Sequence, residues 1–173
     1  MPSLDAATRA RLIEEIAALP SRLEELVAGL TDEQLLGHFL DGEWNVAQNV
    51  HHLADSHINS FIRLKLLLTE DRPTVRPYDQ DRWAVTAEAD NPRIEDSLEV
   101  LRGLHRRWAA LFASLDEAQW ARRGYHPENG EISVEGLLAD YAAHGDAHID
   151  QIQRTLAAGG FAHASRGVWS ARR

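Results

Sequence analysis

Four stretches of this chain carry apolar residues at alternating three- and four-residue spacing, and no stretch alternates with period two over a useful length. Leu12, Ile16, Leu19, Leu23, Leu26 and Leu30 form the first stripe. Val46, Val50, Leu53, His57, Phe61, Leu64 and Leu68 form the second. Ile94, Leu98, Leu101, Leu104, Trp108 and Leu111 form the third, and Val134, Leu137, Tyr141 and Ile152 the fourth. This spacing puts each set on one face of an α-helix. One-sided helices of roughly 20–26 residues bury their stripes best against each other, so the expected fold is all-α, a four-helix bundle roughly 30–40 Å long.

The punctuation between the stripes sets the expected boundaries. The first helix spans about Leu4 to Leu30, with Pro20 expected to kink or split it. Thr31 and Gln34 form a capping box for a short helical turn. Asp41-Gly42-Glu43 reads as a turn, after which Asn45 and Gln48 cap a helix reaching about Thr69. Glu70 to Asp90 is too long for a simple connection and implies a lid or crossover, with a helical turn near Asp79 to Ala84. Asn91-Pro92 opens the third helix, expected to run to Leu115. Asp116 to Trp120 reads as a short turn, and Arg122 to Glu131, with Gly124, Pro127 and Gly130, as loop. Ser133 caps the fourth helix, which stops at Gly159-Gly160. Residues 1–160 thus read as a single bundle domain, and 161–173 as a short polar tail anchored by Trp169.

Composition narrows the chemistry. The 173 residues include no cysteine, which removes disulfides, thiolate ligands and cysteine nucleophiles together. The absence of cysteine suits a cytoplasmic protein. The N-terminal Met1-Pro2-Ser3-Leu4-Asp5 lacks the basic-then-apolar pattern of a secretion signal, and no apolar run approaches the ~20 residues of a membrane span. A net charge of -9, with arginines scattered among acids, argues against nucleic acid as a partner. With nine histidines, a metal site would be built from imidazoles and carboxylates.

The fourth helix supplies such a pair. His144 and His148 stand four apart, hence on one face, about 5–6 Å apart at Cβ, where both rings can reach one ion. The residue after His144 is Gly145 and not the glutamate of the zinc-protease motif, so a metalloprotease is not expected. A second cluster, His51-His52-Leu53-Ala54-Asp55-Ser56-His57, offers a third ligand. His57 falls in line with Val50, Leu53 and Phe61 and reads as a core histidine satisfied by a hydrogen bond. His51 and His52 point about 100° apart, so at most one of them is a ligand. His51 lies near the apolar edge, and His52 lies in a polar row with Gln48, Ser56, Asn59 and Arg63. Periodicity leaves that choice open. Three imidazoles leave coordination positions free, the pattern of catalytic sites. Asp140 and Asp55 are placed to receive the other N–H of a ligand, although plain surface charge is the simpler reading of each. His126, Glu128, Asp55 and Arg63 are the candidates for acid, base or substrate contact. Trp44, Trp83 and Trp108 read as core or loop anchors.

Several of these segments resemble the DinB/YfiT-like family, in its YfiT branch. They are Asp41-Gly42-Glu43-Trp44-Asn45-Val46, His51 through Ser60, Ile62-Arg63-Leu64-Lys65 and Arg76-Pro77-Tyr78-Asp79, then Leu104-His105-Arg106-Arg107-Trp108, Tyr125-His126-Pro127-Glu128 and Tyr141-x-x-His144-x-x-x-His148. The resemblance runs in order from about Leu12 to Ile152. It implies a four-helix bundle with a long crossover, a homodimer, and one divalent metal per subunit, Zn²⁺ or Ni²⁺, held by His52, His144 and His148. It further implies a metal-dependent hydrolase acting on a small molecule. The alternative is a thiol S-transferase using bacillithiol or a similar low-molecular-weight thiol. A non-catalytic metal-binding or stress-related interaction protein is the reading of another class. The chain departs from the pattern at Gly145-Asp146-Ala147, where relatives are often richer in histidine, and in its basic tail after Gly160.

Overall fold

In the computed structural model, which describes residues 4–161, four long helices carry the four stripes. They are α1 (Ala6–Val27), α3 (Val46–Thr69), α5 (Glu95–Ala113) and α7 (Val134–Ala158), with short helices α2 (Asp32–Leu36), α4 (Gln80–Trp83) and α6 (Glu117–Trp120) between them. Thr31 with Gln34 and Asn45 with Gln48 form the expected capping boxes, and Ser133 caps α7 through the N–H of Gly136. α1 packs on α5 and α7, and α3 packs on the same two, so α1 and α3 stand diagonally. The chain therefore crosses the bundle diagonally between its first two long helices and again between its last two, while the long connection joins the neighbours α3 and α5.

Three boundaries differ from the sequence expectation. Pro20 does not split α1, which continues through it. The third helix starts at Glu95 with Ile94 as cap, because Asn91 spends its side chain on the N–H of Arg93 in a turn ahead of the helix. The stretch expected as loop is largely an antiparallel hairpin, β1 (Arg123–His126) and β2 (Gly130–Ser133), turned at Gly130 with φ of 78°. Four-residue strands are too short for alternation to stand out in a sequence. The hairpin is tied down at Tyr125, which exchanges backbone hydrogen bonds with Pro73 and Val75 of the long connection. The expectation for the tail lies outside the described residues, apart from Phe161, which packs edge-on against Phe39.

The core falls into two apolar clusters. One gathers Leu19, Leu23, Val50, Leu53, Leu101 and Ile152, and the other Ile16, Phe61, Leu64, Trp108, Phe112 and Leu138. Along α3, α5 and α7 the changeover between clusters is occupied by histidine: His52 and His57, His105, and His144 and His148 respectively. The bundle thus carries a layer of imidazoles between two hydrocarbon layers. Gly145 lies in this layer, where α7 approaches α1 closely: a Cβ there would stand 2.7 Å from Leu19 Cδ2 and 3.0 Å from Cδ1. Leu19 is itself buried and has little room to yield.

Arg9 fastens the far end. It is 8% exposed, stacks 4.8 Å over the Trp120 ring, and donates to Glu117 (2.7 Å) and Glu135 (2.5 Å), joining α1 to α6 and α7. Glu117 is largely exposed, so solvent screens that pair, and the Glu135 pair and ring stacking dominate. Arg9→Met, which leaves Glu135 without its partner, is expected to cost about 2 kcal/mol in urea unfolding. A loss under ~0.5 kcal/mol would show the network to be ornamental.

Candidate metal centre

The seam between α3 and α7 sets the site. The α3 row of Gln48, His52 and Ser56, which a helical wheel shows as a polar face, is buried. Gln48 reaches across to donate to the carbonyl of Ala84 in the long connection, and α7 brings His144 and His148 over His52. One ring nitrogen from each of His52, His144 and His148 lies within 4.8 Å of the others. Nε2 of His144 is 3.3 Å from Nε2 of His52 and 3.2 Å from Nε2 of His148. Two atoms each ~2.0–2.1 Å from a tetrahedral ion stand ~3.3 Å apart, so these separations fit a divalent cation.

The outer hydrogen bonds show which atoms face inward. His148 Nδ1 is 2.7 Å from Asn49 Oδ1. The amide nitrogen of Asn49 donates to the carbonyl of Asn45 at 2.9 Å, which leaves Oδ1 as the atom turned to His148. His148 therefore donates from Nδ1 and carries its lone pair on Nε2. His144 Nδ1 is likewise engaged, 3.1 Å from His57 Nε2. Nitrogen lone pairs converging at this range repel unless a cation lies among them, and the donor set suits one. The indole of Trp44 closes one side, tilted against His52 at 4.6 Å and parallel to His148 at 6.2 Å. It is a wall of the centre and not merely an anchor of its loop.

Burial decides the protonation of the layer. His52 and His144 are each pushed down to about 4 by desolvation, with His144 adding repulsion on His52. His148 falls to about 3 through burial and then the neighbouring His144 and His52. His105 falls to about 4 by burial, against a hydrogen bond to Ile16 that raises it, and His57 lies well below the usual imidazole range, chiefly through burial. All five rings are thus neutral near pH 7, the form in which imidazole binds a metal.

The other expectations divide. His51 is buried and turned from the cluster, bonded to Ser97 Oγ (2.8 Å) and the Asn91 carbonyl (2.9 Å). His57 is the satisfied core histidine that its place in the stripe predicts, but its partners are His105 and His144. Neither Asp140 nor Asp55 takes the outer positions of His144 and His148, which His57 and Asn49 fill. Burial nevertheless raises the Asp55 carboxyl to about 6, helped by Glu88 and opposed by His51.

A cavity of about 620 Å³ opens beside His144, lined by Arg63, His126 and Glu128 together with Ser56, Tyr78 and Tyr141. Three of the four candidates for substrate contact therefore line this cavity together with His144, and Asp55 stands outside that lining. Arg63 Nη2 donates to the Arg76 carbonyl at 3.2 Å, which holds the guanidinium across the connection. His126 accepts the Glu128 N–H on Nδ1 at 3.2 Å, so its neutral ring presents an N–H at Nε2. Burial, and then Arg63, lower the His126 pKa. Tyr78, Tyr141 and His105 stand in the segments that carry the family resemblance, but the sequence reading gave them, like Asn49, no role at the site. The one visible signal was His105, a polar residue inside a stripe of leucines and tryptophan that needs a partner from another helix.

The sequence pattern of the DinB superfamily matches residues 15–152. This chain belongs to the DinB superfamily. Among its relatives, YfiT of Bacillus subtilis is 40% identical over 158 residues, covering 89% of each chain, and is provisionally named a metal-dependent hydrolase. A relative from Geobacillus kaustophilus with the same provisional name is 49% identical over 142 residues, 81% of this chain and 79% of its own. The solved structure of Bacillus subtilis YfiT superposes with a TM-score of 0.89 at 37% identity, covering 94% of this chain and 93% of that one. That structure is described as having an unusual four-helix bundle topology, and the diagonal placement of α1 and α3 gives the present superfamily member the corresponding crossed arrangement.

Proposed function

We propose that this DinB-superfamily protein is a metal-dependent hydrolase in which His52, His144 and His148 hold one divalent ion, Zn²⁺ or Ni²⁺, beside a cavity that admits a small-molecule substrate. The observation that carries this is the convergence of three imidazole nitrogens, two with their outer nitrogens engaged, one of the three histidines, His144, lining a polar cavity. The provisional names of the relatives support it. A divalent ion held there supplies Lewis acidity, polarising a substrate oxygen and making water a competent nucleophile near neutral pH. The protein's own groups do the rest. Arg63 holds an anionic or carbonyl oxygen of the substrate across from the histidines. The Glu128 carboxylate receives a proton from the attacking water and returns it to the departing group, which the Nε2–H of the neutral His126 ring holds by a hydrogen bond. Trp44 shields the ligands from bulk water on the closed side.

Zn²⁺ added at about 100 times its Kd is expected to stabilise the protein by about 2.7 kcal/mol, roughly 5–10 °C in Tm for a chain of this size. The metal-loaded protein should then hydrolyse members of a panel of small esters, amides and phosphoesters, and chelation should abolish the reaction. Incubation with monochlorobimane, with and without bacillithiol, provides the contrasting arm: metal-dependent consumption of the thiol with no hydrolysis would move the reading to a transferase. Metal uptake with turnover in neither arm would favour a binding role.

A further inference from the structure

The sequence places a proline where a helix has no use for one. Pro20 has no N–H, so the carbonyl of Ile16, four residues earlier in α1, lacks its intrahelical donor. That carbonyl is taken by His105 of α5, whose Nδ1 lies 2.5 Å away. A carbonyl only accepts, so His105 carries its proton on Nδ1 and, being neutral, a lone pair on Nε2. His105 Nε2 is 2.8 Å from His57 Nδ1, which must therefore be the donor. His57 Nε2 is then a lone pair, 3.1 Å from His144 Nδ1, which must donate in turn. The direction of every bond follows from the one at the carbonyl, and for neutral rings no other assignment satisfies all three contacts. His57 and His105 are 0% and 1% exposed, and burial favours the neutral form of both.

We infer that His57 and His105 are positioning residues for the metal centre: anchored on the Ile16 carbonyl that Pro20 leaves free, they hold His144 in its Nδ1–H tautomer and aim its Nε2 lone pair at the ion. This rests on the metal-centre reading above. Its physical content is preorganisation. A neutral imidazole in water prefers its proton on Nε2, where it blocks metal binding on this face, and the relay reverses that preference before any ion arrives. The chain of bonds runs from α1 through α5 and α3 to α7, so each helix of the bundle contributes one group to the orientation of a single ligand.

Two substitutions at position 57 separate this from a packing role. His57→Gln keeps an acceptor for His144 and a donor for His105, whereas His57→Leu fills the space and offers neither. A packing role would favour leucine or treat the two alike. The relay predicts that His57→Leu loses about 10–100-fold in Zn²⁺ affinity, read by competition with a chromophoric chelator, while His57→Gln stays within a few-fold of the parent. Long-range ¹H–¹⁵N NMR of the metal-free parent protein supplies a readout that does not use the metal: His105, His57 and His144 should all be Nδ1–H tautomers. Either an Nε2–H form at one of the three, or undiminished Zn²⁺ affinity in a folded His57→Leu protein, overturns the inference. Should the leucine variant fail to fold, the glutamine variant decides with the NMR, and loss of affinity there of ~100-fold or more tells against the relay. A parent protein that takes up no Zn²⁺ but shows the three Nδ1–H forms would sink the metal-centre reading while leaving the tautomer relay standing.

Discussion

His52→Ala, His144→Ala and His148→Ala are each expected to lower Zn²⁺ affinity by well over the ~10–100-fold that loss of an outer partner costs. The argument is geometric. Three nitrogens define the site, and removing any one leaves two, with no carboxylate in the cluster, among the described residues, to replace it. The sharpest comparison lies between adjacent residues. His51→Ala should retain the metal and pay in stability instead, because it leaves Ser97 Oγ and the Asn91 carbonyl short of a partner. Metal content by mass spectrometry and affinity by chelator competition read both outcomes. Metal kept by His52→Ala and lost by His51→Ala would reverse the ligand assignment.

The second large effect concerns acid. The folded protein holds His52, His105 and His144 near 4, His148 near 3 and His57 well below the usual imidazole range, against about 6.5 in the unfolded chain. Depressed histidine pKa values mean that, between pH 6.5 and 4, the unfolded chain binds protons that the folded one refuses. The stability is complete above pH 6.5 and drains as pH falls toward the folded values, at up to about 1.4 kcal/mol per pH unit for each such histidine. Asp55 and Asp140 work the other way, because burial raises both carboxyls in the fold, Asp55 to about 6, and their protonation relieves a cost. Five histidines outweigh two carboxylates, so the metal-free protein should lose most of its stability between pH 6 and pH 4.5. Urea titrations at pH 7, 5.5 and 4.5 measure this, and a flat profile would show that the layer is far wetter than its burial implies. A saturating metal, which binds only the neutral rings, should move the acid transition to lower pH.

Much of the scaffold could be read from residue spacing, because one-sided stripes and capping pairs such as Asn45 with Gln48 are local signals. The His144/His148 pair was visible for the same reason. His52 was not separable from His51 on the wheel, since a polar face that is solvated and one that is buried against another helix have the same periodicity. The family pattern named His52, and the structure brings it to the pair. The hairpin from Arg123 to Ser133 was hidden by its brevity and by its dependence on backbone bonds to Pro73 and Val75, far away in sequence. Pro20 misled for a physical reason: the missing N–H reads as a defect within one helix, and only the neighbouring helix shows that the orphaned carbonyl has another donor in His105.

Gly145 carries a consequence for what this scaffold can become. A zinc protease of the His-Glu-x-x-His kind uses the direction after its first histidine for a catalytic carboxylate, and here that direction is filled by the side chain of Leu19. A glutamate at this position would wedge α7 away from α1 before it reached any substrate. Peptide hydrolysis by that route is therefore not one substitution distant from this protein but one helix crossing distant: the bundle would first have to be rebuilt around a wider gap. The four-residue spacing of two histidines is common property, and the helix lying behind them determines which catalytic lineage can inherit it.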